Sequence, residues 1–230
     1  MKLETIKNIK RKTENISKRN FIIYKIYVIF YNLFIKFKPI SGSKNKFLKT
    51  KKTILYRVKY EIRGNNNVIN LRSGLFHNFQ FLIVGSNNNI SIGENSEFAG
   101  GSIWVIGDSC CVNIGQNVTV NHSAHFIVQE DNMSLTIGDN CMLSYLVTIR
   151  TSDSHPIYCG NTNDRLNYPK SVIIGKNVWI AAKATIMKGS EIGDGCVVGY
   201  QSLVTEKFPA HTLIVGSPAR IAQYNIYWEN

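Results

Sequence analysis

Between Ile149 and Ser171 the chain runs Arg150-Thr-Ser-Asp-Ser-His155-Pro-Ile-Tyr-Cys-Gly-Asn-Thr-Asn-Asp-Arg165-Leu-Asn-Tyr-Pro-Lys170, a polar stretch with one imidazole. Histidine titrates near neutrality, so it can take a proton from a hydroxyl and return it to a leaving group. Asp153 stands two residues before His155 and could fix its tautomer. Residues two apart in an extended segment also face the same way and can simply share solvent. A lone histidine is more often structural or exposed than catalytic, so its surroundings must decide. Cys159, the one thiol of the stretch, has no basic partner in sequence and makes a poor covalent nucleophile.

The elements that must position this stretch keep a six-residue period. From Ile174 the residues Ile180, Ile186, Ile192, Val198 and Val204 follow at intervals of six, and Val178, Ala184, Ser190, Cys196 and Ser202 mark the fifth position of successive hexads. A helix repeats its apolar residues at about 3.6 and a flat strand at 2, so neither accounts for the spacing. A period of six fits a parallel β-helix, in which three short strands complete one triangular coil, the branched residue points inward and a small residue fits the corner. The pattern resembles the hexapeptide-repeat acyltransferases, which implies a left-handed β-helix.

Earlier turns are marked by Asn-rich entrances. Taking Leu71, Ile92, Ile114 and Ile137 as equivalent gives spacings of 21, 22 and 23 residues, and Ile174 follows 37 further on. Asn and Gly suit the corners because both tolerate positive φ. The expected architecture is an all-β solenoid with a basic, partly helical N-terminal arm over 1–57, a β-helix over 58–209 and a C-terminal cap over 210–230. The surplus at 150–171 is then a loop thrown out of the coil, and a long loop on a rigid scaffold is a frequent place for an active site.

Charge divides the chain. Residues 1–60 carry 17 Lys or Arg against Glu4 and Glu14, a net of +15, whereas residues 61–230 carry 10 against 13, a net of −3. Within the basic arm, Phe21 to Phe37 reads as a helix ending before Pro39, with Lys25, Asn32 and Lys36 on one narrow stripe. Such a segment can lie on an anionic bilayer or pack against the solenoid or a neighbouring subunit. A span has less support, since it needs about 20 mostly apolar residues. A cleaved secretory signal is not expected, because the apolar run starts late and contains Lys25.

Five cysteines make no disulfide framework, and Cys141 and Cys196 fall at inward small-residue positions. No C-x-x-C pair, Walker loop or dinucleotide fingerprint is present. His122 and His125 suggest a metal site only until a third ligand at matching interval is sought; none is found, so no metal is expected, and His77 and His211 are given no role. Nothing points to nucleic acid, and the expected compartment is a reducing one, the cytoplasm, with peripheral contact between the arm and the inner face of the membrane.

Several segments together resemble bacterial O-acetyltransferases of capsular or lipopolysaccharide sugars, including sialic acid polymers. They are Arg150 to Tyr158, Arg165-Leu-Asn167, Val172 to Ile180, Lys188-Gly through Val204-Thr, and Gly216-Ser-Pro-Ala-Arg220. The resemblance implies acetyl-CoA as donor, His155 as base aided by Asp153, and Trp179 beside the thioester arm. It also implies that Ala182, Tyr200, Thr205, Lys207 and Arg220 neighbour the donor, with Arg220 at a phosphate, that Arg150 and Arg165 serve the acceptor, and that the chain forms a homotrimer. Two departures stand out: Tyr200 in Gly199-Tyr-Gln-Ser202, where the family has a small residue, and Glu206-Lys207, where it has Lys-Asp.

Direct transfer without an acyl-enzyme follows from these assignments. Trp179, at the outward sixth position of its hexad, is either a contact surface or a subunit seam that also holds donor. Two rival readings are an N-acyltransferase acting on a nucleotide-linked amino sugar and a non-catalytic β-helix scaffold. Many enzymes of the first kind carry an N-terminal α/β domain, whose place the basic arm takes here. A scaffold would be expected to lack the His and Trp pair.

Overall fold

The computed structural model describes residues 40–229, and they form a parallel β-solenoid of eight coils. Each coil contributes one short strand to each of three parallel sheets, here faces A, B and C. Coil 1 has strands Ile40–Ser41, Lys46–Lys49 and Thr53–Tyr56, and coil 2 has Lys59–Arg63, Val68–Leu71 and Gly74–His77. Coil 5 has Ala124–Gln129, Ser134–Ile137 and Met142–Leu143, and coil 6 has Thr148–Arg150, Val172–Ile174 and Trp179–Ile180. Coil 8 ends in Thr212–Gly216, on which Ala219–Tyr224 folds back antiparallel to close the end.

The equivalence read from the sequence is the register of face B. Leu71 pairs with Ile92, Ile92 with Ile114, Ile114 with Ile137, Ile137 with Ile174 and Ile174 with Ile192. The period then shortens, because Phe208 stands opposite Ile192 only 16 residues later.

Two ends differ from the sequence reading. Among the described residues the solenoid already runs from Ile40, a full coil ahead of Val58, with Lys46 to Lys49 paired to Val68 to Leu71. This coil lacks the Ile-Gly phrase because its outer edge has no coil above it among the described residues to demand an inward aliphatic, and Lys49 stands where later coils have Leu71 and Ile92. At the other end, face C continues past residue 209 to Gly216. The expected helix over Phe21 to Phe37 lies outside the described residues, and among those described no helix is long and apolar enough to cross a membrane.

Coil width tracks core composition. The wider coils 2 to 5 are filled by Phe76, Phe79, Phe81, Phe98 and Phe126, all at most 1 % exposed, with Phe76 stacked on Phe98 at 5.0 Å. The narrower later coils are filled by smaller side chains, with Val178, Ile180, Ala184, Ile186, Ser190 and Cys196 fully buried. Close packing at every layer leaves each coil little freedom to shift against the next.

Corners are stabilised by side chains that replace backbone partners. Asn66, Asn87 and Asn132 take φ near +60° at the A–B corner. Beside them runs a buried ladder: Asn67 Nδ2 donates to the Gly85 carbonyl at 2.8 Å, Asn88 Nδ2 to Gly107 at 2.9 Å, and the Cys110 N–H to Asn88 Oδ1 at 2.8 Å. Cys141 and Cys196 are buried and all five thiols are free, in keeping with their inward positions. Burial pushes the Cys141 thiol up to about 11.

Candidate active site

The long loop leaves the solenoid at the A–B corner of coil 6, where every other coil turns in a few residues. Its base is tied down on both sides. Thr151 continues the ladder by donating its N–H to Ile127 O at 3.1 Å, and Lys170 N–H returns to Thr151 O at 2.9 Å. Within the loop Tyr158 and Arg165 form an antiparallel bridge, and Leu166 N–H donates to Ile157 O at 2.7 Å. The result is a short hairpin standing on a rigid coil, and the exposed bend of backbone that leads into it carries His155.

Two charge pairs, neither visible in the sequence, fasten it. The Arg165 guanidinium makes a fork on Glu130 of coil 5, Nη1 to Oε2 at 2.5 Å and Nη2 to Oε1 at 2.7 Å, and Ser152 Oγ adds a third bond to Oε1 at 2.6 Å. Arg165 and Ser152 together hold the Glu130 carboxyl below its ordinary range. On the other side Lys188 Nζ of coil 7 donates to Asp153 Oδ2 at 2.5 Å, and Asn167 Nδ2 donates to the same oxygen at 2.9 Å. Lys188 first, then Asn167, lowers the Asp153 carboxyl.

These contacts change three of the expected roles. Among the described residues, Asp153 bonds to Lys188 and Asn167, and no bond from it to the His155 imidazole is present. Arg165 spends both terminal nitrogens on Glu130 and stacks over Tyr168 at 5.3 Å, which makes it a loop anchor and not a free acceptor ligand. Arg150 is likewise engaged, with Nη2 donating to Ser154 Oγ at 2.7 Å. Asn167, which the sequence offered only as part of a motif, proves central: it holds the carbonyl of His155 at 2.8 Å and accepts from the Ile157 N–H at 2.6 Å.

Of the residues assigned to the donor, Trp179, Ala182 and Tyr200 fall on another side of the coil from the loop, whereas Thr205 shares the A–B corner and Lys207 lies on face B. Trp179 faces outward on face C of coil 6, between Met142 and Val197, and its ring lies 6.1 Å from that of Trp228. Trp228 is itself fixed by its indole N–H on Asn177 O at 2.6 Å. Buried Ala182 and exposed Tyr200 lie at the adjoining C–A corner, where Lys183 Nζ sits 5.6 Å over the Tyr200 ring. Thr205 is at the A–B corner of coil 8 and is exposed. Lys207 pairs with Glu191 at 2.5 Å and Arg220 with Glu206 at 3.2 Å, so both cations already have carboxylate partners, although exposed ones that a phosphate could displace.

Geometry therefore separates His155 from Trp179. In a triangular cross-section the A–B corner stands opposite face C, so one chain alone presents its loop imidazole and its half-buried, outward-facing indole on opposite sides of coil 6. No group of three or more metal-ligating side chains occurs among the described residues, and His125 is engaged with Ser102 Oγ through Nδ1 at 2.9 Å.

Comparison with known proteins agrees with this architecture. The bacterial transferase hexapeptide family (six repeats) matches residues 171–206. A polysialic acid O-acetyltransferase of Escherichia coli O1:K1 / APEC is 34 % identical over 139 residues, which is 60 % of this chain and 44 % of that protein. The polysialic acid O-acetyltransferase of Neisseria meningitidis is 31 % identical over 152 residues, 56 % of this chain and 70 % of the relative. The chain thus spans less than half the length of the first of these relatives. The crystal structure of the polySia specific acetyltransferase NeuO superposes with a TM-score of 0.78 at 32 % identity, covering 83 % of this chain and 87 % of that one. With a continuous hexapeptide solenoid, the loop at coil 6 and these matches, the chain belongs to the family of hexapeptide-repeat O-acetyltransferases that contains the polysialic acid enzymes.

Proposed function

We propose that the chain moves an acetyl group from acetyl-CoA to a hydroxyl of a sialic-acid-type surface polysaccharide, with His155 as general base. The observation that carries this reading is the placement of His155: a single exposed imidazole whose backbone is fixed by Asn167 on a loop clamped to coils 5 and 7. A base held that way can meet an acceptor hydroxyl without ordering the loop first, which removes an entropic cost from the reaction. The acceptor class comes from the relatives named above, and the donor from the family.

The step needs no acyl-enzyme. His155 takes the proton of the acceptor hydroxyl as its oxygen bonds to the acetyl carbonyl carbon. Backbone N–H groups at a neighbouring coil hold the tetrahedral oxyanion. The carbon–sulfur bond then breaks, the electron pair leaves with the CoA sulfur, and the proton on His155 passes to that sulfur. Because His155 and Trp179 face opposite ways in one chain, the complete site lies between subunits of a homotrimer, the base from one and the donor groove from its neighbour.

The test is an assay with purified polysialic acid and acetyl-CoA, following release of the CoA thiol and the appearance of O-acetyl signals by NMR. His155→Ala should reduce transfer about 10²–10⁴-fold, the usual contribution of a general base. Near-normal turnover in that variant removes His155 from the mechanism, and absence of transfer to any acidic polysaccharide removes the acceptor class.

A further inference from the structure

The charge of this chain is not confined to the segment before the solenoid. Residues 40–77, which build coils 1 and 2, carry nine Lys or Arg against Glu61 alone, a net of +8, whereas residues 78–229 carry eight against twelve acids, a net of −4. The molecule is therefore strongly polarised along its own axis. In those first coils the charge goes round the prism. Lys44 is at the A–B corner, Lys46 and Lys49 are on face B, Lys51 and Lys52 at the B–C corner, Arg57 at the C–A corner, and Arg63 on face A, where it pairs with Glu61, so that face C alone carries no Lys or Arg.

The shape of this distribution says what it fits. A linear polyanion is matched by a stripe of cations along one face or groove, as the phosphate backbone of a nucleic acid is. A collar that covers two faces and all three corners at the end of a rod is matched by a plane. Strands of neighbouring coils lie about 5 Å apart, so the charges of coils 1 and 2 all fall within the ~8 Å Debye length of a surface touching coil 1. The acidic coils lie beyond that range and are screened from it. Apolar side chains stand exposed inside the same collar, Ile40 at 42 % and Leu48 at 46 %. The 39 residues that precede Ile40, with the apolar run Phe21 to Phe37 and ten more Lys or Arg, join the solenoid at this end.

We propose that coils 1 and 2 are a docking surface for a bilayer rich in anionic lipid, on which the solenoid stands end-on with its axis along the membrane normal. Phosphate and carboxylate headgroups take the collar lysines, and the exposed apolar residues enter the interface. Five coil steps then hold the His155 loop about 24 Å from the headgroups. That standoff puts the loop where a lipid-linked glycan would extend, clear of the lipid itself.

Sedimentation of the full-length chain with phosphatidylcholine vesicles, with and without phosphatidylserine, tests this without reference to acetyl transfer. Binding should need phosphatidylserine and be released by salt. The triple substitution Lys49→Gln, Lys51→Gln, Lys52→Gln should weaken it on the order of 100-fold, at about fivefold for each cation removed from the surface, while Lys176→Gln on coil 6 should change nothing. Vesicle binding that survives the triple substitution would show that residues 1–39 act alone and would overturn the proposal. So would failure of the wild-type chain to bind vesicles while the triple variant loses affinity for polysialic acid, since the collar would then be a polysaccharide site.

Discussion

Asn167 grips the main chain of His155 from across the loop, its Nδ2 on the His155 carbonyl at 2.8 Å and its Oδ1 on the Ile157 N–H at 2.6 Å. One carboxamide thus fixes the backbone that leaves the imidazole on its C-terminal side, and where that backbone sits decides where the ring can reach. Replacing Asn167 with Ala should lower kcat on the order of 10²-fold, the cost of a misplaced reacting group. The KM for acetyl-CoA should stay near its wild-type value, because the proposed donor contact Trp179 is on face C, opposite the corner that carries the loop. Steady-state kinetics that show the reverse split would assign Asn167 to donor binding.

A site shared between subunits makes a distinctive claim about mixtures. His155→Ala and Trp179→Ala should each be nearly inactive as pure oligomers. Unfolded together and reassembled at equal ratio, they should regain activity, since random mixing leaves about one interface in four with both side chains intact. No recovery in reassembled trimers would place base and donor groove on one chain.

Loop order should depend on acid in a defined direction. The Asp153 and Glu130 carboxyls are both lowered by their cations, so the stabilisation they provide is complete above the ordinary carboxylate range and is lost as pH falls through their lowered folded values. Both are partly exposed, so the effect is modest and falls with salt. Lys188→Met removes the main cause of the Asp153 shift, and the acid limb of loop opening should then move to higher pH. Limited proteolysis between residues 150 and 171 across a pH series would register it, and an unmoved limb would mean that Asp153 does not govern the loop.

Thiol reactivity offers an independent check on the hairpin. Hydrogen bonding from Thr162 lowers the Cys159 thiol, whereas burial raises Cys141 to about 11. Iodoacetamide near neutral pH should therefore modify Cys159 well before Cys141, as peptide mass spectrometry can show. Equal labelling of the two would mean that the coil core opens as readily as the loop.

The coil register was legible because inward aliphatics recur: Leu71, Ile92, Ile114, Ile137 and Ile174 stand over one another as their spacing implied. Coil 1 was hidden by its lysines, since an end coil satisfies its inner edge and owes nothing to an outer one. In the loop, His155 and Asn167 could be picked out as neighbours in a motif. Lys188 and Glu130, the partners of Asp153 and Arg165, are each 35 residues away from them in sequence and become neighbours only because successive coils bring them onto one corner. Side chains that reach across coils leave no periodic trace, and for that reason Arg165 reads as a free cation until Glu130 is seen beneath it.

The loop departs and returns without disturbing the stack, for Ile137 and Ile174 remain paired although 37 residues separate them. Closing a longer excursion adds little entropy, about 0.6 kcal/mol for each doubling of length. The A–B corner of coil 6 is in that sense a socket. Its fastenings are few and local, one fork on Glu130 and one cation on Asp153, so a hairpin of different length or sequence that kept those two could be seated there with the scaffold unchanged. Such an architecture lets the loop change in length and sequence while the coil beneath it, built into the repeat itself, is held fixed by packing.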